Sequence, residues 1–367
     1  MTKTPPRRHR VRRIVLLVLA LAMIYPAATY VRALTYPGAA PFAVRTTDWL
    51  RDDMGAGAVV NTVENWWYTR KEPPKGPPPA AVLPQQVLRT DPAGTRPGDI
   101  HVQHGLRGEG VWAPATGNGS LYTTFLRPDV RHGSVVAGAA WLNQRLVTTT
   151  FVAGTKEPGA DPFRQAKVPT SLRPRLVADF NSGFKLVDAH GGAYLDGKMI
   201  APLRAGAGSV VVHRDGAVTI DQWGRDARLS SDVVSVVQSL DLIVDHGNVV
   251  SGLDTNRDAR WGSARSQYQY TWRSGLGTDK SGNLVYVAGD QLTLATLAAA
   301  MHDAGIVRGM QLDIHTDMVS FNYFGRPTSV PKKLLPTMSS PSYRYLGADL
   351  RAFFAITQRI DTTGGKP

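Results

Sequence analysis

The chain contains no cysteine, which excludes a disulfide framework and any thiolate metal site and leaves stability to packing. Acidic residues are also scarce, 29 against 42 Lys and Arg, for a formal charge of +13. That excess resembles a nucleic-acid signal until it is divided along the chain. Residues 1–13 hold six of the basic residues and no acid, leaving 36 against 29 over the rest. With no dense Lys/Arg run in that remainder, the balance describes a solvated surface and makes no case for nucleic acid as a partner. Several enzymatic signatures are missing as well. There is no G-x-S-x-G elbow, P-loop, H-E-x-x-H or complete G-x-G-x-x-G, which disfavours the commonest hydrolases, NTPases and dinucleotide enzymes.

What is present begins with an anchor. Ile14 to Val31 carries no charge, and its eighteen residues give roughly 27 Å of helix, close to a bilayer core of roughly 30 Å. Arg7, Arg8, Arg10, Arg12 and Arg13 crowd its N-terminal side, which by the positive-inside rule leaves the C-terminus outside. The competing reading is a cleaved secretory signal, because Pro26 interrupts the run and Val31-Arg32-Ala33 has a cleavage-like spacing. A retained anchor is favoured, since the apolar stretch exceeds a usual signal core.

Four regions follow from this: a cytoplasmic basic end at 1–13, a transmembrane helix at 14–31, juxtamembrane helices and a Pro-rich linker at 32–84, and an extracytoplasmic domain at 85–362. The helices at 46–70 are inferred from Trp49, Leu50, Met54, Val59, Val63, Trp66 and Trp67 at mostly three- and four-residue steps. Their tryptophans suit either the membrane interface or packing on the domain. Glu72 to Pro79, with five prolines, should run as an extended spacer.

Beyond Val87 the pattern is mainly β. Short runs rich in β-branched and aromatic residues at 121–126, 134–142, 146–152, 209–214, 217–221, 284–287 and 310–315 are separated by Gly, Pro, Asn and Asp turns. One helix is expected over Leu294 to Ala304, with Thr293 as its N-cap and Gly305 as its stop. The fold class is therefore α+β, a mixed β-sheet core with a few packed helices behind an N-terminal transmembrane helix.

Three segments place polar residues among apolar ones, where burial is costly without partners or a task. In Phe180-Asn181-Ser182-Gly183-Phe184-Lys185, Gly183 can take positive φ and Asn181 can bond sugar hydroxyls, although a plain turn has the same composition. In Trp272-Arg273-Ser274-Gly275-Leu276-Gly277, a guanidinium beside glycines suits a phosphate oxyanion, or else pairs with a surface acid. In Leu312-Asp313-Ile314-His315-Thr316-Asp317, strand alternation would put Asp313, His315 and Asp317 on one face, for acid–base chemistry or a divalent cation.

In order, these segments resemble the phosphodiester glycosidase family, over roughly residues 165 to 325, and its bacterial, membrane-anchored branch. Asn181-Ser182-Gly183-Phe184-Lys185 stands at the family's N-G-G-F-F element, and Asp245-His246-Gly247 at a turn that follows a strand. Arg273-Ser274-Gly275-Leu276-Gly277 stands at R-[ST]-a-[IV]-G, and Leu284 to Asp290 at a run that precedes a helix. The family's L-D-G-G-G-S departs most, because here Leu312-Asp313 is followed by Ile314-His315-Thr316-Asp317. The resemblance implies hydrolysis of a sugar C1–O–phosphate bond in envelope or exopolysaccharide glycans, with a phosphorylated carbohydrate as partner. It implies Arg273 on the phosphate, Asp313 at the anomeric centre, His315 in proton transfer, Asp290 as second carboxylate, and Asn181, Gly183, Ser274 and His246 around the sugar. The cofactor is left open, with a divalent cation at Asp313, His315 and Asp317 as one reading. The alternative function, prompted by the altered segment, is an inactive carbohydrate-binding or envelope-assembly protein of the same fold.

Overall fold

The computed structural model describes residues 7–38, 40–85, 96–102, 105–256, 258–262, 267–325 and 330–360. Residues 1–6 of the basic end, and 86–95, where the expected domain begins, lie outside the described residues.

Helix α1 spans Arg7–Thr35, and its Val11–Thr35 part is long and apolar enough to cross a membrane. Helix α2, Phe42–Asp52, and helix α3, Gly57–Thr69, occupy the region where sequence spacing predicts amphipathic helices. Arg45 fastens α2 to α1, because its guanidinium donates to the carbonyls of Ala33 at 3.0 Å, Tyr36 at 2.7 Å, Ala40 at 2.9 Å, and Gly38. Trp49 completes the joint through Nε1 to Thr29 Oγ1 at 2.9 Å and a ring contact with Tyr30 at 4.7 Å.

The following Pro-rich stretch forms neither helix nor strand, and it is no free spacer. Pro73 and Pro78 are buried, Glu72 Oε1 lies 3.0 Å from His132 Nε2, and the Pro74 carbonyl accepts from Ser134 Oγ at 2.5 Å. Those contacts lay the segment along the domain wall.

Among the described residues the strands form three sheets, and every pairing of named strands is antiparallel. The eight-stranded sheet runs in space Ala113–Pro114, Leu121–Leu126, Ala137–Leu142, Leu284–Leu292, Thr271–Asp279, Ile306–Ile314, Leu242–Asp245, Asn248–Val249. A five-stranded sheet centres on Val233–Gln238, and another on Leu176–Asn181. The α+β class stands, with a short helix α4, Leu186–Ala189, and helix α5, Leu294–Asp303.

Both faces of the large sheet are covered, so its central strands read as continuous apolar runs. Tyr286, Leu276, Met310 and Leu312 join one core cluster with Phe180, Phe321 and Phe354 of the five-stranded sheet. Val285 and Val287 join the other with Leu294, Leu297 and Met301 of α5. The α5 boundaries follow the sequence expectation closely: Thr293 and Thr296 form a capping box, and Gly305 follows with φ +85°.

The glycines of the Arg273 segment have a different task from the expected anion approach. A Cβ on Gly275 would lie 2.4 Å from Met301 Sδ, and one on Gly277 would lie 2.3 Å from Ile306 Cγ2. They let α5 and the neighbouring strand close down on the sheet.

Candidate active site

Antiparallel pairing brings the two most informative segments together. Arg273, near the start of one central strand, is in register with Ile314, at the end of its neighbour. Arg273 and Asp313 therefore line one cavity of about 770 Å³. Lys185, Asp188, Gln311 and Arg351 line it too, and α2 and α3 supply another wall through Asp48, Arg51, Glu64 and Tyr68.

Arg273 is 1 % exposed. Its Nε donates to the Leu292 carbonyl at 3.0 Å and its Nη1 to Gln311 Oε1 at 2.8 Å, while Nη2 has only long contacts of 3.4–3.5 Å to Gln269 O and Gln267 Oε1. None of these partners is a carboxylate. Burial alone, with no counter-charge, pulls the guanidinium down to about 9. A buried cation that lines the cavity with no carboxylate among its own hydrogen-bond partners is suited to a mobile anion.

Asp313 is 8 % exposed, and burial pushes its carboxyl up to about 6 against the attraction of Arg351. Its Oδ1 accepts the Ile314 amide at 2.9 Å. Burial also opposes the charge on Arg351, but nearby carboxylates, Asp313 foremost, hold that guanidinium above its usual range. Lys185 bridges to α2, 2.6 Å from Asp48 Oδ1 and 2.9 Å from Asp52 Oδ2. Desolvation works against the Asp48 carboxylate, yet Arg351 and Lys185 hold it below the ordinary value.

The expected alternation of Asp313, His315 and Asp317 on one face fails. The strand ends at Ile314 and His315 takes φ +77°, so the period of two stops there. The imidazole stacks on Tyr68 of α3 at 4.8 Å, its Nδ1 lies 3.1 Å from Thr271 Oγ1, and its Nε2 lies 3.9 Å from Glu64. Burial, reinforced by Arg273 and Arg51, pushes it down to about 3 and keeps it neutral. A neutral ring docked on α3 is poorly placed for proton transfer. Asp317 Oδ1 accepts from Ser339 Oγ at 3.0 Å. Among the described residues no group of three or more His, Cys, Asp or Glu could hold a metal ion, so the cation reading of this trio fails on geometry.

The remaining sugar-binding candidates lie elsewhere. Asn181 is 3 % exposed. It receives Tyr286 Oη at 2.8 Å and the Ser320 amide at 3.0 Å, and it donates to Ser274 Oγ at 3.0 Å. Ser274 in turn donates to the Asp313 carbonyl at 2.8 Å. Asn181 and Ser274 thus rivet two sheets together and hold the Asp313 backbone from behind the cavity. Gly183 does not take positive φ; a Cβ there would meet Ser239 Cβ at 3.0 Å.

His246 sits with φ +49° in a hairpin turn at the Val307 end of the Ile306–Ile314 strand. Six residues of strand, about 20 Å, separate that end from Asp313. Asp290 is exposed and outside the cavity, its Oδ1 accepting the Gln291 amide at 2.8 Å. Besides Asp313, Asp48 and Asp317, the carboxylates that line the cavity include Asp188, exposed at its edge, and Glu64, which burial raises despite its 2.9 Å bond to Arg51. Sequence reasoning missed Asp188, Glu64, Arg351 and Lys185, although Lys185 closes the Asn181 segment and could have been weighed there.

No curated protein matches the chain significantly. Among solved structures it is similar to the zebrafish N-acetylglucosamine-1-phosphodiester alpha-N-acetylglucosaminidase catalytic domain auto-inhibited by its pro-peptide, at 16% identity over 65% of this chain and 84% of that one, TM-score 0.43. It is similar also to a hypothetical protein from Synechocystis, at 13% identity over 66% of this chain and 63% of that one, TM-score 0.38. The phosphodiester glycosidase family model matches residues 174–322, the stretch that contains both strands meeting at the cavity.

Proposed function

We propose that the protein is a membrane-anchored hydrolase, its domain outside the cytoplasm, that cleaves the C1–O bond of a sugar joined through a phosphodiester to an envelope glycan or lipid. The observation that carries this reading is the pairing of a buried, acid-free guanidinium, Arg273, with a desolvated carboxyl, Asp313, on one cavity wall. The family match supports a glycosidase acting on phosphodiester-linked sugars.

Arg273 supplies the positive potential for the phosphate, with Gln311 beside it as a polar contact. Asp313 faces the anomeric carbon as base, nucleophile or oxocarbenium stabiliser. Because the leaving group is a phosphate oxygen, stable as an anion, little protonation of it is needed. His315 therefore serves to seat α3, and Asn181 and Ser274 serve to fix Asp313. The domain proper begins after the Pro-rich stretch, with α2 and α3 contributing a wall of its cavity.

The test is incubation of the purified full chain with a panel of sugar-1-phosphodiesters. Reducing sugar should appear, and Asp313→Asn should lower its release by about a thousandfold or more. Release undiminished in the variant would remove Asp313 from the chemistry. Binding without release in the wild type would favour the carbohydrate-binding alternative.

A further inference from the structure

The cavity is built against the membrane helix. Residues 11–25 of α1 are exposed, and its hydrogen bonds to the rest of the chain run through Thr29, Tyr30 and Ala33. A hydrocarbon layer of about 30 Å takes about 20 residues of helix. Counted from Val11 or Ile14, it ends between about residues 30 and 33. The turns of α1 that carry α2 are therefore those that leave the bilayer.

α2 is sandwiched at that level. Arg45, Thr46 and Trp49 hold α1 on one side, while Ala43, Val44, Thr47, Asp48 and Arg51 line the cavity on the other. One helix diameter, about 10 Å, separates the anchor from the site.

α3 adds an independent sign. Asn61, Glu64, Asn65 and Tyr68 face the cavity. Its opposite side exposes Val59, Val63, Trp66 and Trp67, the last two at 55% and 50%. Arg70 lies over the Trp66 ring at 4.3 Å and Lys71 over Trp67 at 4.5 Å. An apolar stripe ending in tryptophans and cations is the composition of the headgroup layer, and α3 is continuous with a helix already placed there.

Resting on the hydrolase reading above, we infer that the substrate is a sugar phosphodiester whose other arm is a lipid in the same bilayer, presented to the cavity from the headgroup layer along α2 and α3. In the reaction a water oxygen bonds to the anomeric carbon and the C1–O bond breaks. The lipid phosphomonoester leaves with the electron pair, and the water proton passes to solvent. The sugar is released to the aqueous side and the lipid phosphate stays in the membrane.

The full chain, reconstituted in phosphatidylcholine–phosphatidylglycerol vesicles, would be given hexose-1-phosphates esterified on the second phosphate oxygen either to hexadecanol or to methanol. The hexadecyl form should be hydrolysed at least about tenfold more efficiently, through its higher effective concentration at the site. Joint substitution of Val63, Trp66 and Trp67 by serine, none of which lines the cavity, should lower turnover of the hexadecyl form by about tenfold and leave the methyl form within about twofold. Equal efficiency on both forms, or a triple variant that treats both alike, overturns the inference. Hydrolysis of the methyl form alone overturns it while sparing the hydrolase reading, and hydrolysis of neither removes both.

Discussion

Replacing Asp313 by asparagine should make the protein more stable at neutral pH while destroying its activity, and the gain should depend on pH in a definite way. Asp313 is 8 % exposed and burial lifts its carboxyl from 3.8 to about 6. The folded protein therefore keeps a proton that the unfolded chain has already released, so the native state is favoured at low pH and loses stability as pH rises from about 4 to about 6. At 1.36 kcal/mol per unit, the loss amounts to about 3 kcal/mol, complete above pH of about 6. Asparagine has the same shape, does not titrate, and keeps an oxygen for the Ile314 amide that Asp313 Oδ1 accepts at 2.9 Å. The gap between variant and wild type should thus be near zero at pH of about 4 and reach about 2–3 kcal/mol at pH of about 7, a Tm rise of roughly 5 °C for a chain of this size. Thermal and denaturant unfolding of both proteins in the same detergent, across that pH range, measures it. A pH-independent gap, or a variant less stable at neutral pH, would refute a desolvated carboxyl. Wild-type kcat/KM should in turn rise through pH of about 6 if the ionised form acts.

Arg273→Met should abolish the anion response: phosphate at ten times its dissociation constant should stabilise the wild type by about 1.4 kcal/mol and the variant not at all. Equal stabilisation of both would move the phosphate elsewhere. Lys185→Met takes from Asp48 its 2.6 Å partner, both side chains being buried, and leaves it only Arg351 at 3.7 Å. A loss of about 3 kcal/mol should appear as faster amide exchange in α2, and unchanged α2 exchange would show that the bridge does not hold the wall. His315→Gly relieves about 1 kcal/mol of left-handed backbone. It gives up a ring stack and a hydrogen bond of about 1 kcal/mol each, so Tm should move little while α3 exchanges faster. A clear rise in Tm with α3 unaffected would count against the docking role.

Much of the fold was legible because its elements obey local rules. The Thr293 cap and Gly305 stop bracket α5, and the apolar runs at 121–126 and 284–287 mark strands buried on both faces. The site was half legible. Arg273 and Asp313 stand out as charged residues in apolar segments, and register then makes them neighbours. Asn181 stands out for the same reason yet does a different job, because a buried amide that bonds Tyr286, Ser274 and Ser320 looks in sequence like one awaiting a ligand. His246 and Asp290 came through the family pattern alone, and topology put the first at the wrong end of a strand and the second outside the cavity. The part played by α2 and α3 was not legible. Their amphipathic spacing announces helices but not what the polar faces meet, and contacts such as Lys185 to Asp48, 137 residues apart, leave no periodic trace.

The altered segment after Asp313 looks in sequence like the loss of a glycine turn, and hence of the site. The backbone says otherwise. His315, second of the three positions where the family pattern has glycine, adopts φ +77°, a conformation that glycine takes freely and a side chain takes at a cost. The side chain at this left-handed position is used: the imidazole packs on Tyr68 and meets Thr271, joining the α3 wall to the strand end. That contact seats α3 as one wall of the cavity. Three costly features then fall within a few residues of one another in register: a left-handed histidine, a desolvated aspartate, and a buried arginine without an acid. Each could be removed by a simple substitution, and none strengthens the core. Their concentration on one wall is what a binding or catalytic site requires and what a purely structural strand end would shed.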